Sequence, residues 1–180
     1  MLFDGQPIDL LNEAAKLVEN AKNVINNENK WCKGSYAIAR GWDMPHLFSS
    51  DSKCVVSLNS TNDKACQWCA SGAMIKAFSN IYKNEYMELT LDTGPNDYVF
   101  LKQATLQNIV FSIAMRFLAN EIDADSRKSP INLLIAFNDL DKTDHDTIVA
   151  LFDKTIGAMK RTHYMKRAKL QKKINREMAT

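Results

Sequence analysis

Apolar side chains recur at three- and four-residue intervals along several stretches, and that spacing predicts helices rather than strands. Ile8, Leu11, Ala15, Val18 and Ile25 mark the inner face of a first amphipathic helix over residues 9 to 26, with Asp9 as its cap and an Asn-Asn-Glu-Asn run from residue 26 as its stop. Trp31 to Arg40 reads as a short helix ended by Gly41, and Asp43 to Asp63, rich in Ser, Asn and Asp, reads as a long loop with a brief strand at Val55 to Leu58. Cys66, Cys69, Ala70, Ala73, Met74, Ala77 and Ile81 fall on one face, predicting a second long helix over residues 64 to 83. After a Thr-Gly-Pro-Asn turn at residues 93 to 96, the run through Phe100, Ile109, Val110, Phe111, Ile113, Ala114, Phe117 and Leu118 is apolar on nearly every side. A helix of that kind, over residues 97 to 120, belongs at the centre of a bundle.

Asp123 to Ser129 is a polar connection, and the apolar run from Pro130 to Phe137 fits a short strand or a buried helical turn equally well. Thr143, Asp144, His145 and Asp146 have the spacing of a capping box with Asp in place of Glu, ahead of Ile148, Leu151, Phe152, Ile156 and Met159. A last helix is therefore expected from residue 144 to residue 177. The expected fold is all-α: one bundle of about five helices, with a short strand pair in the connections. Residues 1–159 form the helical domain and residues 160–180 a basic helical extension.

Length and composition agree with one domain, since 180 residues at 46% hydrophobic content can enclose a single core. Met1 is followed by Leu, Phe, Asp and Gly rather than by a basic patch and an apolar signal core, and no apolar stretch has the length of a membrane span. The chain is expected to work in the cytoplasm. Charge changes the picture once it is read by segment. From Lys154 to Thr180 there are nine basic residues and one acid, while the rest of the chain carries 14 basic and 20 acidic residues. A formal charge near +8 on the tail thus hides behind a whole-chain value of +2.

Projected at 100° per residue, Arg161, Lys166, Lys169, Lys172, Lys173 and Arg176 share one sector of the last helix, opposite Met159, His163, Leu170, Ile174 and Met178. With Lys160 they form the expected polyanion-binding set, for a nucleic acid or an acidic protein. The competing reading is a solvated helix end whose lysines complement the helix dipole and the acidic body.

Cys32, Cys54, Cys66 and Cys69 are expected to be reduced in a chain without an export signal. Cys66-Gln-Trp-Cys69 has the two-residue gap of redox and zinc motifs, but it follows no alternating strand-helix pattern, and Cys32 and Cys54 are isolated rather than paired. Buried packing of Cys66 and Cys69 is the expected role, with no metal and no cofactor. A cysteine nucleophile would also need a base, for which His46, His145 and His163 supply the residue type without the spacing of any catalytic motif. Phe137, Asn138 and Asp139 end an apolar run ahead of a capped helix, where short polar side chains hold turns. Alternatively Asn138 and Asp139 face a small-ligand pocket closed by Trp31 or Trp68.

Trp31-Cys32, the stretch from Cys66 through Trp68, Cys69, Gly72 and Ala73 to Met74, and Phe137-Asn138-Asp139 occur in this order with an amphipathic helix on either side. This set resembles a family of small bacterial and bacteriophage proteins catalogued as domain of unknown function, family 6197. The resemblance covers residues 10 to 155, with Met74 where Leu is usual and Phe137 where Trp is common. It implies a bacterial or phage source, and it implies that Trp68, Cys69, Gly72, Asn138 and Asp139 form one cluster. It implies no activity, substrate or cofactor. The reading that follows is a non-enzymatic accessory protein acting through its basic C-terminal helix. The alternative is a small-ligand binder or thiol-dependent enzyme built on Trp31, Trp68, Cys69, Asn138 and Asp139.

Overall fold

The structure is a computed structural model, and it describes residues 2–3, 6–7, 9–40, 55–58, 60–82 and 106–177. Among these are five α-helices: α1 (Leu10–Val24), α2 (Ala70–Tyr82), α3 (Leu106–Asp123), α4 (Pro130–Asn138) and α5 (His145–Glu177). The strands are short, with β1 (Leu2–Phe3) pairing β2 (Gln6–Pro7), and β3 (Ala37–Arg40) running antiparallel between β4 (Val55–Leu58) and β5 (Gln67–Trp68). The fold is an all-α bundle carrying this small sheet in its connections.

α1 is the hub, because its buried stripe of Ala14, Ala15, Leu17, Val18 and Ala21 lies against α2, α3 and α5. The Asp9 carboxylate accepts the Asn12 N–H and starts this helix where the sequence places it. α3 packs against α1, α4 and α5 but is not enclosed on every side. Ser112, Arg116 and Asn120 recur every four residues and form an exposed stripe, so the expected central helix is instead a flank. Phe78, Phe152, Leu17, Met74, Leu118, Leu134 and Met159 are fully buried in one shared core.

Pro130 to Asn138 is a helix, and two local signals decide it. Ser129 accepts the Asn132 N–H as N-cap, and Pro130 occupies the first turn, where its missing N–H costs nothing. α5 begins one residue later than the sequence indicates. Its cap is Asp144, which accepts from the Thr147 N–H, while the Thr143 hydroxyl is buried.

Two expectations need correction. Trp31 to Arg40 is not a helix but an irregular stretch leading into β3 (Ala37–Arg40), whose pairing with β4 and β5 overrides the helical preference of its alanines. Ala37, Ile38 and Ala39 are all buried, so the polar-apolar alternation that would reveal a half-buried strand is missing. Gly34, at φ +71°, supplies the left-handed turn before it. The second helix starts at Ala70 rather than residue 64, which leaves Cys66 off the helix, half-buried beside β3. Cys54, His46, Phe100, Met178, the turn at residues 93 to 96 and most of the loop from Asp43 to Asp63 lie outside the described residues.

The two caps generate a stability prediction. Ser129→Ala should cost about 1 kcal/mol in urea unfolding. Hydrogen bonds from Thr147 hold the Asp144 carboxyl below its ordinary value of 3.8. Its cap therefore acts above that value and is lost as pH falls through the lowered one. Asp144→Ala should lower the melting temperature at neutral pH, with the difference from wild type closing on acidification. A deficit that persists in strong acid would contradict the role.

Candidate functional site

Cys69 immediately precedes α2, and three acceptors on Asn138 and Cys69 fix this helix start. The Asn138 Oδ1 atom accepts the Ala70 N–H at 3.0 Å, the Cys69 sulfur accepts the Gly72 N–H at 3.2 Å, and the Cys69 carbonyl accepts the Ala73 N–H. The Ala70 and Gly72 N–H groups are donors that a helix start leaves unpaired, while the Ala73 bond opens the helix's own ladder. From the other side, Tyr36 accepts the Cys69 N–H, and its carbonyl lies so close to Gly72 that a Cβ there would overlap it. Glycine is required at 72 by this approach of the backbone before β3.

Asn138 is the point where distant segments meet. Its Oδ1 atom also accepts the Trp31 indole N–H at 2.8 Å, and its Nδ2 group donates to the Cys32 carbonyl at 3.1 Å and to Asp139 Oδ1 at 2.9 Å. The orientation of the amide is unambiguous, since a flip would aim its NH2 at two N–H donors. Asp139 also accepts the Gly34 N–H at 3.0 Å, while Lys33 donates to the Leu140 carbonyl at 2.6 Å and lies 5.5 Å from the Trp31 ring centre. The edge of this cluster is closed by His145, whose Nε2 donates to the Ile25 carbonyl at 2.8 Å and whose ring lies 6.4 Å from that of Trp31.

Of the candidate pocket residues, Trp31, Cys69, Asn138 and Asp139 thus meet around one amide, and Trp68 joins through backbone: its carbonyl accepts the Cys32 N–H. The Trp68 indole points elsewhere, donating to the Ser60 carbonyl. Asp139 holds the residue 34 turn rather than capping the last helix.

The buried environments of Cys32 and Cys69 disfavour their thiolates. Burial pushes Cys69 up to about 11, against the pull of the Gly72 and Ser71 N–H groups on its thiolate. Cys32 rises to about 12 through burial, with Cys69, Asp139 and Cys66 adding in that order. A reactive cysteine needs the opposite shift. Among the described residues no three His, Cys, Asp or Glu side chains gather as metal ligands.

The second candidate surface is the distal part of α5. Its proximal part is anchored by buried Ile148, Leu151, Phe152, Ile156 and Met159, and by ion pairs of Asp153 with Lys22 and Lys154 with Glu121, and one turn past Met159 the His163 Nδ1 atom lies 2.6 Å from an Asp9 carboxylate oxygen. Beyond Met159, the side chains of Lys160, Arg161, Lys166, Lys169 and Lys172 are exposed, and none has a carboxylate partner among the described residues. The side chains of Lys173 and Arg176 lie outside the described residues.

Fold and site together define a helical domain organised around a buried asparagine, with α5 continuing past its last buried residue, Met159, to Glu177. The model of a Family of unknown function (DUF6197) matches residues 9–158, and the chain belongs to that family. The match includes the whole Asn138 cluster and stops beside Met159, where α5 leaves the core. No curated protein and no solved structure matches the chain. No described helix is long and apolar enough to cross a membrane.

The cluster can be tested through its amide and through its thiols. Asn138→Ala leaves the Trp31 and Ala70 donors and the Cys32 carbonyl without their partner, at about 1–3 kcal/mol for each such group. The drop in urea unfolding free energy should be at least about 3 kcal/mol, and a drop under about 1 kcal/mol would remove Asn138 from its central place. For the thiols, a raised pKa means that the folded chain holds the proton longer than the unfolded one. Stability should therefore be intact below about 9 and decline from there towards about 12. Cys69→Ser should flatten part of that alkaline decline. In native protein at mildly alkaline pH, iodoacetamide should label Cys66 before Cys32 or Cys69, as read by peptide mass spectrometry. Preferential labelling of Cys69 would restore the thiol-enzyme reading.

Proposed function

We propose that this protein is a non-enzymatic docking module, with the helical domain serving to hold the α5 extension out as a basic rod for a polyanion. The 33 residues of α5 span about 50 Å, and the proximal half is fixed by the core. The single observation that carries the reading is the exposure of Lys160, Arg161, Lys166, Lys169 and Lys172 without carboxylate partners among the described residues, although the rest of the chain is acidic. Cations left in water at close spacing create a local potential that attracts phosphates or clustered carboxylates. A helix tail folded back on the acidic body would instead cover these groups.

The pocket alternative at Trp31, Trp68, Cys69, Asn138 and Asp139 draws less support. All four hydrogen-bonding positions of the Asn138 amide are already used inside the protein, so binding a ligand there means breaking the framework. We place the site of action in the cytoplasm of a bacterial cell, whether the chain is host- or phage-encoded, a compartment that suits the free thiols of Cys32, Cys66 and Cys69.

Titration with labelled DNA and RNA at low and moderate salt tests the proposal. Binding should be present at low salt and fall steeply as salt rises. Replacing Arg161, Lys166, Lys169 and Lys172 by Ala should reduce the slope of log affinity against log salt by about 0.7–0.9 for each phosphate no longer neutralised. These side chains are exposed, so thermal unfolding should barely change. No binding at low salt by the intact protein would sink the nucleic-acid form of the proposal, and binding indifferent to the four substitutions would move it off α5.

A further inference from the structure

Tyr164 is 74% exposed and Met165 is 57% exposed, although both are large apolar side chains and both lie on the basic extension. Phosphate attraction alone gives no use for them. Their positions are informative: Tyr164 follows Lys160 and Arg161 by four and three residues, and Met165 stands midway between Arg161 and Lys169. Residues at these offsets are neighbours on a helix surface. The phenol ring therefore has cations on its N-terminal side, and the row Arg161, Met165, Lys169 climbs the helix in steps of about 6 Å.

We infer that the extension binds single-stranded nucleic acid, with Tyr164 as a stacking platform for an unpaired base while Lys160 and Arg161, one turn before it, and Lys169 and Lys172 farther along the helix hold the backbone. The inference rests on the polyanion reading above and deepens it. A single strand offers phosphates and open base faces side by side, the combination that a row of cations beside an exposed ring complements. In a duplex the base faces are covered by their neighbours, so Tyr164 would gain little. An acidic peptide would satisfy the cations but leave the ring unused. An anionic lipid surface draws on apolar side chains opposite the charges, whereas Tyr164 and Met165 stand among the cations themselves, beside Lys160, Arg161 and Lys169.

Fluorescence anisotropy of the full-length protein with a labelled oligothymidine, with a duplex of equal length and with phosphatidylserine vesicles provides the test. The single strand should bind more tightly than the duplex at the same salt. Tyr164→Ala should weaken single-strand binding by about 5- to 150-fold, with little effect on the duplex or on the salt slope, and Tyr164→Phe should restore it. Equal or tighter duplex binding, or a Tyr164→Ala variant that binds the single strand normally, overturns the inference while leaving salt-dependent binding by the lysines in place. Vesicle binding tighter than either nucleic acid overturns it too. Absence of binding to strand and duplex alike by the wild-type protein removes the nucleic-acid reading on which it rests.

Discussion

A primary amide has two donor hydrogens and two acceptor lone pairs, and enclosing it without partners is costly, so a fully buried asparagine dictates the placement of everything around it. Asn138 has no exposed surface, and its four hydrogen bonds reach Trp31, Cys32, Ala70 and Asp139. The ties to Trp31, Cys32 and Ala70 join distant segments: the end of α4, the start of α2 and the loop that leads from α1 into the sheet. Without Asn138, α2 would have an unpaired N-terminal donor in the interior, and the half-buried Trp31 indole would lose its protein partner. The close approach of the Tyr36 carbonyl to Gly72 depends on the same arrangement, because β3 and β5 hold Tyr36 against the helix that Asn138 positions. The core beneath is ordinary hydrophobic packing, and it is the polar cluster that makes the segments meet in one way.

Much of this was legible in the sequence wherever the signal was local. The start of α1 follows from Asp9, α5 was visible through to residue 177 from its spacing, and Pro130 after Ser129 marks α4 even though the apolar run itself is ambiguous. Non-local pairing hid the rest. β3 has the alanines of a helix and is buried too completely to alternate, while Cys66 and Cys69 stand three residues apart and imitate one helical face across a chain that has not yet entered its helix. For Asn138 the residue type announced a turn or cap, but its bonds to Ala70 and Cys32 span 68 and 106 residues, a separation that no local rule reads. The resemblance brought Trp68, Cys69, Gly72, Asn138 and Asp139 together without giving the chemistry of their meeting. That chemistry uses the Trp68 carbonyl and sends its indole to Ser60.

The molecule therefore divides by physical character along one continuous helix. Up to Met159, α5 is held by apolar burial and by ion pairs with α1 and α3, and the family match runs through this part. Past it, His163 contacts Asp9, and the described side chains beyond are mostly exposed, Lys166, Lys169 and Lys172 among them. For the proposed docking role, a helix rooted in a core leaves less ordering to occur on binding than a flexible basic tail would. On that proposal the Asn138 cluster acts indirectly, by securing the bundle from which α5 extends.

The most direct test is an NMR titration of isotopically labelled protein with an oligonucleotide, following the backbone amides, the Asn138 side-chain amide and the Trp31 indole N–H in the same spectra. Perturbations should be confined to α5 from Lys160 onward and its immediate neighbours, with the Trp31 and Asn138 side-chain signals unmoved. Shifts centred on Trp31, Cys69 and Asn138, with the distal α5 amides unchanged, would contradict the division between framework and binding surface and make the buried cluster the site.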